Sequence, residues 1–214
     1  MTAVRCVLRL RRGGCLWGGL PCSAHVWIAS GTTGKSPSFP RGDMSVPCTR
    51  KGNCLAARFC LLALLAIARQ VYWGGEQPGT SVAILLDYVE WVMNCNRSMI
   101  GFLPSTTVRF WMGLFGHRSL KRSYVFGSLP WLHMISVQSK VTEQDRQKFK
   151  WNSSGVVKKT IKKVKGKKDH VNVSGGPRLT QTGEYPYGFC RKLAAYHKKW
   201  CTESCLANQK PEIK

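Results

Sequence analysis

Apolar and polar positions in the first part of the chain predict strands and helices in succession. Apolar, β-branched or aromatic runs that end at Gly or Pro predict four short strands, within 15–23, 70–73, 106–114 and 122–129. Helical spacing of apolar residues predicts a helix from an N-cap at Asn53 to about Arg69, and a second helix over 81–93. The Gly- and Pro-containing segment 74–79 is predicted as the turn after the second strand. This order of elements predicts an α/β sheet.

The longest apolar run lies inside the first predicted helix. It covers Leu61–Ala68, or Cys54–Ala68 if Arg58 is allowed, and it is bracketed by Arg58 and Arg69. Because a bilayer span needs about 20 apolar residues, this run is too short to cross a membrane. We therefore predict a buried helix and no membrane partner.

A change in composition near Lys140 marks a second part of the chain. The stretch 156–168 contains seven lysines and no acidic residue, and its apolar positions are β-branched. A β-hairpin with Gly166 in its turn and a helix are both compatible with this pattern. Further along, a helix is predicted around 190–201. The predicted parts are an α/β domain (1–139), a basic segment (140–175) and a C-terminal segment (176–214). The C-terminal segment contains a helix and returns to the domain.

The charge of the chain indicates the class of its partner. Lys and Arg number 33 against 10 Asp and Glu, which gives a net charge of +23 in 214 residues. A polyanion such as nucleic acid suits this charge best, ahead of an acidic protein and of an anionic membrane surface. Lysine contacts to phosphates would give affinity without sequence readout. The candidate nucleic-acid-binding residues are Lys158, Lys159, Lys162, Lys163, Lys165, Lys167 and Lys168.

The cysteines indicate the compartment. The chain has ten, without a compact repeating spacing, and arginines interrupt its first dozen residues where a signal peptide would be apolar. We therefore expect reduced cysteines and an intracellular protein, nuclear or cytoplasmic. Near the C-terminus, soft ligands follow the spacing C-x6-H-x3-C-x3-C, which matches no common zinc module. A half-buried helix is the expectation there, and a metal site is its alternative. These four residues are Cys190, His197, Cys201 and Cys205.

Three short motifs occur in an order that resembles one enzyme family. They are GGLPCS at 18–23, EQP at 76–78 and FGHRSLKR at 115–122, and they are followed by RLT at 178–180 and YP at 185–186. The three motifs resemble, in this order, the Gly-x-Pro-Cys loop, the Glu-Asn-Val step and the Gly-Val-Pro-Gln-x-Arg-x-Arg segment of cytosine-5 DNA methyltransferases. The likeness is closer to the divergent methyltransferase-like proteins of some protists.

The resemblance implies a role for each motif. Cytosine C5 becomes a nucleophile only after a thiolate has added to C6, and this is the role implied for Cys22. Glu76 would hydrogen-bond N3 of the base. A cation would hold the reacting edge, and Arg118, Arg122 and Lys121 are the candidates. The target base must leave the helix stack first, and the implied methyl donor is S-adenosylmethionine.

The chain also departs from the pattern of the family. Gln77-Pro78 stands in place of Asn-Val, and His117-Arg118 stands in place of Pro-Gln. The residues before Pro21 contain no Phe-x-Gly-x-Gly turn of the kind that begins the family's cofactor site. We therefore expect a partial Rossmann-type methyltransferase sheet without its first strands and with a basic C-terminal extension. A partner would cover the exposed edge of this sheet. The protein would be a degenerate or truncated methyltransferase-like protein that is inactive on its own. A non-enzymatic, basic nucleic-acid-binding protein is the alternative.

These two functions predict different geometries. Catalysis requires Cys22 and Glu76 to face one cleft within about 10 Å of each other, because both must contact one base. Side chains on opposite faces of the fold would leave only the binding function.

Overall fold

The fold is an open, mixed β-sheet with helices on both faces. The computed structural model describes residues 2–95, 105–137, 141–150, 157–162, 170–175 and 183–208. The strands of the main sheet are β1 (Cys15–Gly19), β2 (Tyr72–Pro78), β3 (Thr106–Trp111) and β4 (Arg122–Gly127). Their order is β1-β2-β4-β3, with β1 parallel to β2 and with β4 antiparallel to both β2 and β3. The predicted α/β class is confirmed.

Helices cover the two faces of this sheet. The described helices are α1 (Ala3–Arg9), α2 (Ser30–Thr33), α3 (Pro47–Ala68), α4 (Asp87–Cys95), α5 (His133–Val137), α6 (Glu143–Lys150) and α7 (Tyr187–Asn208). Apolar side chains of α1, α3 and α4 pack with those of β2 and β4 into one core, and side chains of α5 and α7 pack with those of β3 and β4 into another. Because successive residues of a strand point to opposite faces, the two cores lie on opposite sides of the sheet.

Aromatic rings fill both cores. On the α3 side, Phe59, Trp73 and Phe126 meet edge to face, with ring centroids 6.1 to 6.4 Å apart. On the α7 side, Phe110 stacks on Phe189 with centroids 5.2 Å apart. Such pairs contribute about 0.5–1.5 kcal/mol each beyond simple burial. These aromatic pairs hold the long helices α3 and α7 against the sheet.

Strand β2 is longer than predicted. Segment 74–79 was expected to be a turn, but β2 continues through Pro78 in register with β1 and β4. The glycine at position 75 is required by packing: a Cβ there would lie 2.8 Å from Cζ of Phe126. The turn prediction is therefore wrong. Glu76 lies in a central strand and not in an exposed turn.

Helix α3 begins before the predicted N-cap. It starts at Pro47, a residue that suits the first helical position because it has no N–H to leave unpaired. Asn53 lies inside the helix and is buried. Its Nδ2 donates to the carbonyl of Arg41 at 2.8 Å, and its Oδ1 accepts from Nζ of Lys35 at 2.5 Å. The capping prediction is wrong, because Asn53 ties a loop to the helix instead.

The length of α3 also changes the membrane argument. With 22 residues, α3 is long and apolar enough to cross a membrane by length and composition, so the shortness of its apolar run does not decide the question. Its packing is more informative. One side of the helix is buried in the core through Ala56, Phe59, Cys60, Ala63, Ala66 and Ile67. This packing is typical of the core helix of a globular domain.

Other helices and strands differ from prediction in their bounds. The predicted helix 81–93 begins later, because Ser81 forms a β-bridge with Val26 and a 3-10 turn precedes α4. Strand β3 ends at Trp111, where a 3-10 turn follows, and α7 extends beyond the predicted 190–201 on both sides. Helices α1, α2, α5 and α6 have no counterpart among the predicted elements.

The basic segment contains a hairpin. Strand β5 (Val157–Lys162) pairs antiparallel with β6 (His170–Gly175). The hairpin alternative is confirmed over these residues, and the helix alternative is wrong there. The predicted turn residue Gly166 lies outside the described residues, as do Lys163, Lys165, Lys167 and Lys168.

Candidate active site

One end of the sheet gathers three of the residues that the motifs single out. Strands β1 and β2 are parallel, so their carboxyl ends meet, and Gly19 pairs with Glu76. Cys22 lies in the loop after β1. Lys121 directly precedes β4, which starts at this end of the sheet because it runs antiparallel to β2. The sheet thus brings Cys22, Glu76 and Lys121 to one place.

Glu76 is the centre of this cluster. Its residue is only 4 % exposed. The hydroxyl of Tyr185 donates to its Oε2 at 3.2 Å, and Nζ of Lys121 lies 3.6 Å from its Oε1. Oε1 has no hydrogen bond among the described residues. A buried carboxylate therefore has one hydrogen bond and one nearby cation, which leaves one of its oxygens incompletely satisfied.

The position of Tyr185 depends on the absence of a side chain at Gly19. A Cβ at Gly19 would lie 2.9 Å from the Tyr185 hydroxyl oxygen, so any larger residue would displace the ring. The ring also meets Trp17 edge to face, with centroids 6.5 Å apart. Burial, and then the Glu76 carboxylate, raise the pKa of Tyr185. Tyr185 therefore stays protonated and can donate at any physiological pH.

Lys121 reaches Glu76 from an unusual backbone conformation. Its φ is +22°, at the edge of the left-handed region that residues with a Cβ rarely adopt. Its carbonyl accepts a hydrogen bond from the N–H of Met112 at 2.9 Å, which fixes this turn. The lysine side chain is only 10 % exposed. Residues in sparsely populated conformations are frequent at functional sites.

Cys22 interacts electrostatically with both charged residues. Burial raises the pKa of the Cys22 thiol; Lys121 lowers that pKa and Glu76 raises it, and burial is the largest of these effects. At neutral pH the thiol is therefore protonated. An activated nucleophilic cysteine has a lowered pKa instead. The carbonyl of Cys22 accepts from the N–H groups of His25 and Val26, which form the turn that holds the residue.

The two candidate arginines do not contact Glu76. Arg122 is exposed, and its guanidinium lies 5.9 Å from the ring centroid of Trp111 on the outer strand β3. Arg118 is also exposed and forms no hydrogen bond or ion pair with the part of the chain that the structure describes. The cation that lies beside Glu76 is Lys121.

Tyr185 is the residue that sequence reasoning missed. It was noted as part of a Tyr-Pro step but not as a contact of Glu76. Its contact with Glu76 joins residues 109 positions apart. The contact exists because the segment before α7 folds back over β1. The return of the C-terminal segment to the domain was expected, but residue type and spacing gave no signal that Tyr185 would meet Glu76.

The described residues do not fit S-adenosylmethionine. Dinucleotide and related cofactors are usually held where a strand ends in a glycine-rich turn at the start of a helix. Here β1 is the edge strand and is followed by a long loop, and the next extended helix, α3, starts at Pro47. Strand β2 is followed by a 3-10 turn. Within the described ranges, neither strand forms such a cradle.

The C-terminal cysteines and histidine do not form a metal site among the described side chains. Nδ1 of His197 accepts from Trp131 at 3.3 Å, and its Nε2 lies 3.7 Å from Sγ of Cys201. No group of three possible ligands occurs in the residues that the structure describes, and the side chain of Cys205 lies outside them. His197 instead packs against Trp131 and Trp200, with ring centroids 6.3 and 6.2 Å apart.

Comparison with known proteins gives no family: no protein-family model matches the chain, and neither does any curated protein.

Proposed function

We propose that this chain is a degenerate methyltransferase-like protein, similar to cytosine-5 DNA methyltransferases, that does not transfer a methyl group on its own. The proposal depends on one observation, which is the convergence of Cys22, Glu76 and Lys121 at one end of the sheet. These are the residue types that attack on cytosine C6 and binding of N3 require.

The arrangement of the sheet supports this proposal. A parallel pair of strands with helices on both faces is consistent with part of a Rossmann-type sheet. In such sheets, ligands bind outside the carboxyl ends of the parallel strands. Cys22 and Glu76 both lie at the carboxyl ends of β1 and β2, although they are separated by 54 positions in the sequence.

Three features support loss of activity. The raised pKa of Cys22 keeps the thiol protonated. The Tyr185 hydroxyl is hydrogen-bonded to Oε2 of Glu76, and Glu76 is buried. A base could therefore reach this carboxylate only after Tyr185 had moved. The described residues also form no cradle for S-adenosylmethionine. Each feature alone would slow the reaction, and together they would abolish it.

Trapping with a mechanism-based inhibitor tests this proposal. A thiolate that adds to 5-fluorocytosine in the presence of S-adenosylmethionine stays covalently bound to the oligonucleotide, so a denaturing gel reveals the adduct. We expect no adduct from the native chain. Cys22→Ala and the exposed-site variant Cys48→Ala are the matched controls. An adduct that Cys22→Ala abolishes and Cys48→Ala leaves intact would overturn the proposed inactivity.

Binding of nucleic acid by the basic hairpin is the second candidate function. It is favoured by one observation: strands β5 and β6 form an antiparallel hairpin in a chain of net charge +23, and β5 contains Lys158, Lys159 and Lys162. A two-stranded β-ribbon can enter the major groove of DNA, and lysines can contact the phosphates. Such binding would be non-specific and would weaken steeply with salt.

Fluorescence anisotropy with a labelled oligonucleotide tests this second function. We expect the triple change of Lys158, Lys159 and Lys162 to Gln to weaken binding and to reduce the slope of log K against log salt by about 2 to 3. The control changes three exposed lysines of α7, Lys192, Lys198 and Lys199, in the same way. Equal effects of the two triple variants would show that only overall charge matters.

A further inference from the structure

Trp27 is an exposed aromatic residue in the loop that follows β1. It begins the 3-10 turn Trp27–Ala29, and the residue is 62 % exposed, although large aromatic residues are usually buried. Another exposed tryptophan, Trp91, belongs to α4, whose charged residues Asp87 and Glu90 are acidic. The loop of Trp27 instead lies next to an exposed arginine, so the two tryptophans differ in the ligand that they suit.

Backbone hydrogen bonds hold the loop of Trp27 against the end of the sheet. The N–H of Trp27 donates to the carbonyl of Thr80 at 3.2 Å. Gly79, which precedes Thr80, donates its own N–H to the carbonyl of Arg122 at 2.7 Å. These two bonds place the loop of Trp27 beside the first residue of β4. Because the bonds form within the chain itself, a ligand that binds here would lose little affinity to ordering of the protein.

Arg122 supplies an exposed cation next to this loop. A Cβ at Gly79 would lie 3.0 Å from Cγ of Arg122, so the arginine side chain lies against the glycine. The guanidinium lies 5.9 Å from the ring centroid of Trp111, which is paired with Arg122 in the ladder between β3 and β4. Arg122 forms no ion pair with a described residue. An arginine that an aromatic ring orients and no carboxylate neutralises is available to a phosphate.

A second exposed arginine lies on the same face of the sheet. Arg109 and Trp111 are two positions apart on β3, so their side chains point to the same face. Arg122 is directly opposite Trp111 in the register, and residues opposite each other also share a face. Arg109 is exposed and, within the described ranges, forms no ion pair. The two arginines thus form a short cationic row that begins beside the loop of Trp27.

The basic hairpin lies close to the same aromatic residue. Strand β6 is near the 3-10 turn Trp27–Ala29. Its partner strand β5 contains three lysines, and neighbouring strands are about 4.8 Å apart. A chain of net charge +23 therefore brings basic residues of the sheet and of the hairpin near one exposed indole. A polyanion that also carries aromatic rings has the complementary chemistry.

We propose that this surface binds single-stranded nucleic acid, with an unpaired base stacked on Trp27 and neighbouring phosphates on Arg122 and Arg109. Each base inside a duplex is covered on both faces by its neighbours, so only an unpaired base can stack on an exposed indole. These contacts use the base face and the phosphate and leave the 2′-hydroxyl aside. The inference deepens the nucleic-acid-binding candidate, on which it rests, by naming the class of nucleic acid, and it is independent of Cys22 and Glu76.

Fluorescence anisotropy of the full chain with labelled oligomers tests stacking on Trp27. The probes are oligo-dT and oligo-rU of about 12 nucleotides and a DNA duplex of the same length, at about 150 mM salt to screen other surface charges. We expect oligo-dT and oligo-rU to bind with similar affinities, because neither contact involves the sugar. Trp27→Ala should weaken binding of both single strands at least about fivefold and change duplex binding less than about twofold. The matched control Trp91→Ala removes a ring from a residue that is 58 % exposed and should change neither.

The same assay at several salt concentrations tests the cationic row. Arg122→Gln removes one phosphate contact, so it should reduce the slope of log K against log salt by about 0.7 for the single strands. The control Arg58→Gln removes an exposed arginine of α3 and should leave the slope unchanged. Trp27→Ala and Arg122→Gln both change exposed side chains, so we expect both variants to fold.

Several outcomes would overturn the inference. No binding of either single strand at about 100 μM, the weak limit of non-specific nucleic-acid binding, would do so. Equal losses in Trp27→Ala and Trp91→Ala, or equal effects of Trp27→Ala on single strands and duplex, would exclude stacking on Trp27. An unchanged salt slope in Arg122→Gln would exclude the cationic row. If the triple lysine variant of β5 leaves the affinities unchanged while Trp27→Ala still weakens single-strand binding alone, the hairpin candidate fails and this surface is supported.

Discussion

The Tyr185 hydroxyl donates a hydrogen bond of 3.2 Å to Oε2 of Glu76, and this bond links the segment before α7 to the central strand β2. The contact covers the carboxylate that the motif comparison assigns to base binding. Under the proposed methyltransferase-like function, a side chain from the C-terminal part of the chain thus lies where the base would bind. We also expect this contact to contribute to stability.

We expect Tyr185→Phe to lower the free energy of unfolding by about 1–2 kcal/mol, because it leaves a buried carboxylate oxygen without its donor. Tyr187→Phe removes a hydroxyl from a residue that is 81 % exposed, two positions away, and should have no measurable effect. Urea denaturation of both variants checks this prediction. Equal stabilities of the two variants would mean that the Tyr185–Glu76 bond contributes nothing net.

Removal of the two charged neighbours of Cys22 should change its alkylation rate in opposite directions. Glu76 raises the pKa of Cys22 and Lys121 lowers it. We therefore expect Glu76→Gln to speed alkylation of Cys22 by iodoacetamide at about pH 8, and Lys121→Met to slow it, each by about two- to fivefold. Mass spectrometry of the Cys22 peptide measures the rate.

Exposed Cys48 provides the internal control for this experiment, because its alkylation rate should be the same in all three proteins. If both variants speeded the reaction of Cys22, the substitutions would have opened the site rather than changed its electrostatics. If neither changed it, the three residues would not form one cluster in solution.

The backbone at Gly127 should tolerate no side chain. Its φ is +140°, and a Cβ there would lie 2.2 Å from the carbonyl oxygen of Trp73 on the neighbouring strand. Both features oppose substitution, so we expect Gly127→Ala to lower the free energy of unfolding by about 3 kcal/mol. The control is Gly31→Ala, where a Cβ meets nothing within 4 Å. Thermal or urea unfolding of the pair would measure the difference, and similar stabilities would contradict the strand pairing of β2 with β4.

The sequence predicted the sheet better than the site, for a physical reason. Apolar runs are local signals, so β1, β3 and β4 could be placed from them, whereas the sequence left open whether Cys22 and Glu76 share a cleft. The predicted second strand ended at residue 73, before the end of β2, because glycine is read as a turn signal in a single sequence. At Gly75 the residue is required by the Phe126 ring, which comes from a strand 51 positions away.

The polar contacts of the buried residues could not be predicted for the same reason. Asn53 has the residue type of a helix cap, and only the position of Lys35, in a loop 18 positions earlier, makes it an acceptor inside the helix. Likewise, nothing near Glu76 in the sequence indicates that Tyr185 covers it. Both contacts depend on which side chains meet when distant segments fold onto the sheet, and residue type and spacing do not encode those pairs.

The pH dependence of stability should reveal the buried charge of Lys35. Burial lowers its pKa to about 8 from the ordinary value of 10.5, and the groups that face it are neutral His25, Asn53 and the Pro40 carbonyl. Between these two pKa values the unfolded chain binds more protons than the folded chain, so the contribution of Lys35 to stability rises with pH. Below pH 8 both states are charged, and the folded state bears the full cost.

We therefore expect the stability of the native chain, measured relative to Lys35→Met, to rise by about 2 kcal/mol between pH 7 and pH 9.5. Urea unfolding of both proteins at several pH values gives this difference and cancels the titration of the other groups. Lys51→Met, which removes an exposed lysine, should give a flat difference over the same range. A flat difference for Lys35→Met as well would show that the Lys35 ammonium is solvated in solution and not buried.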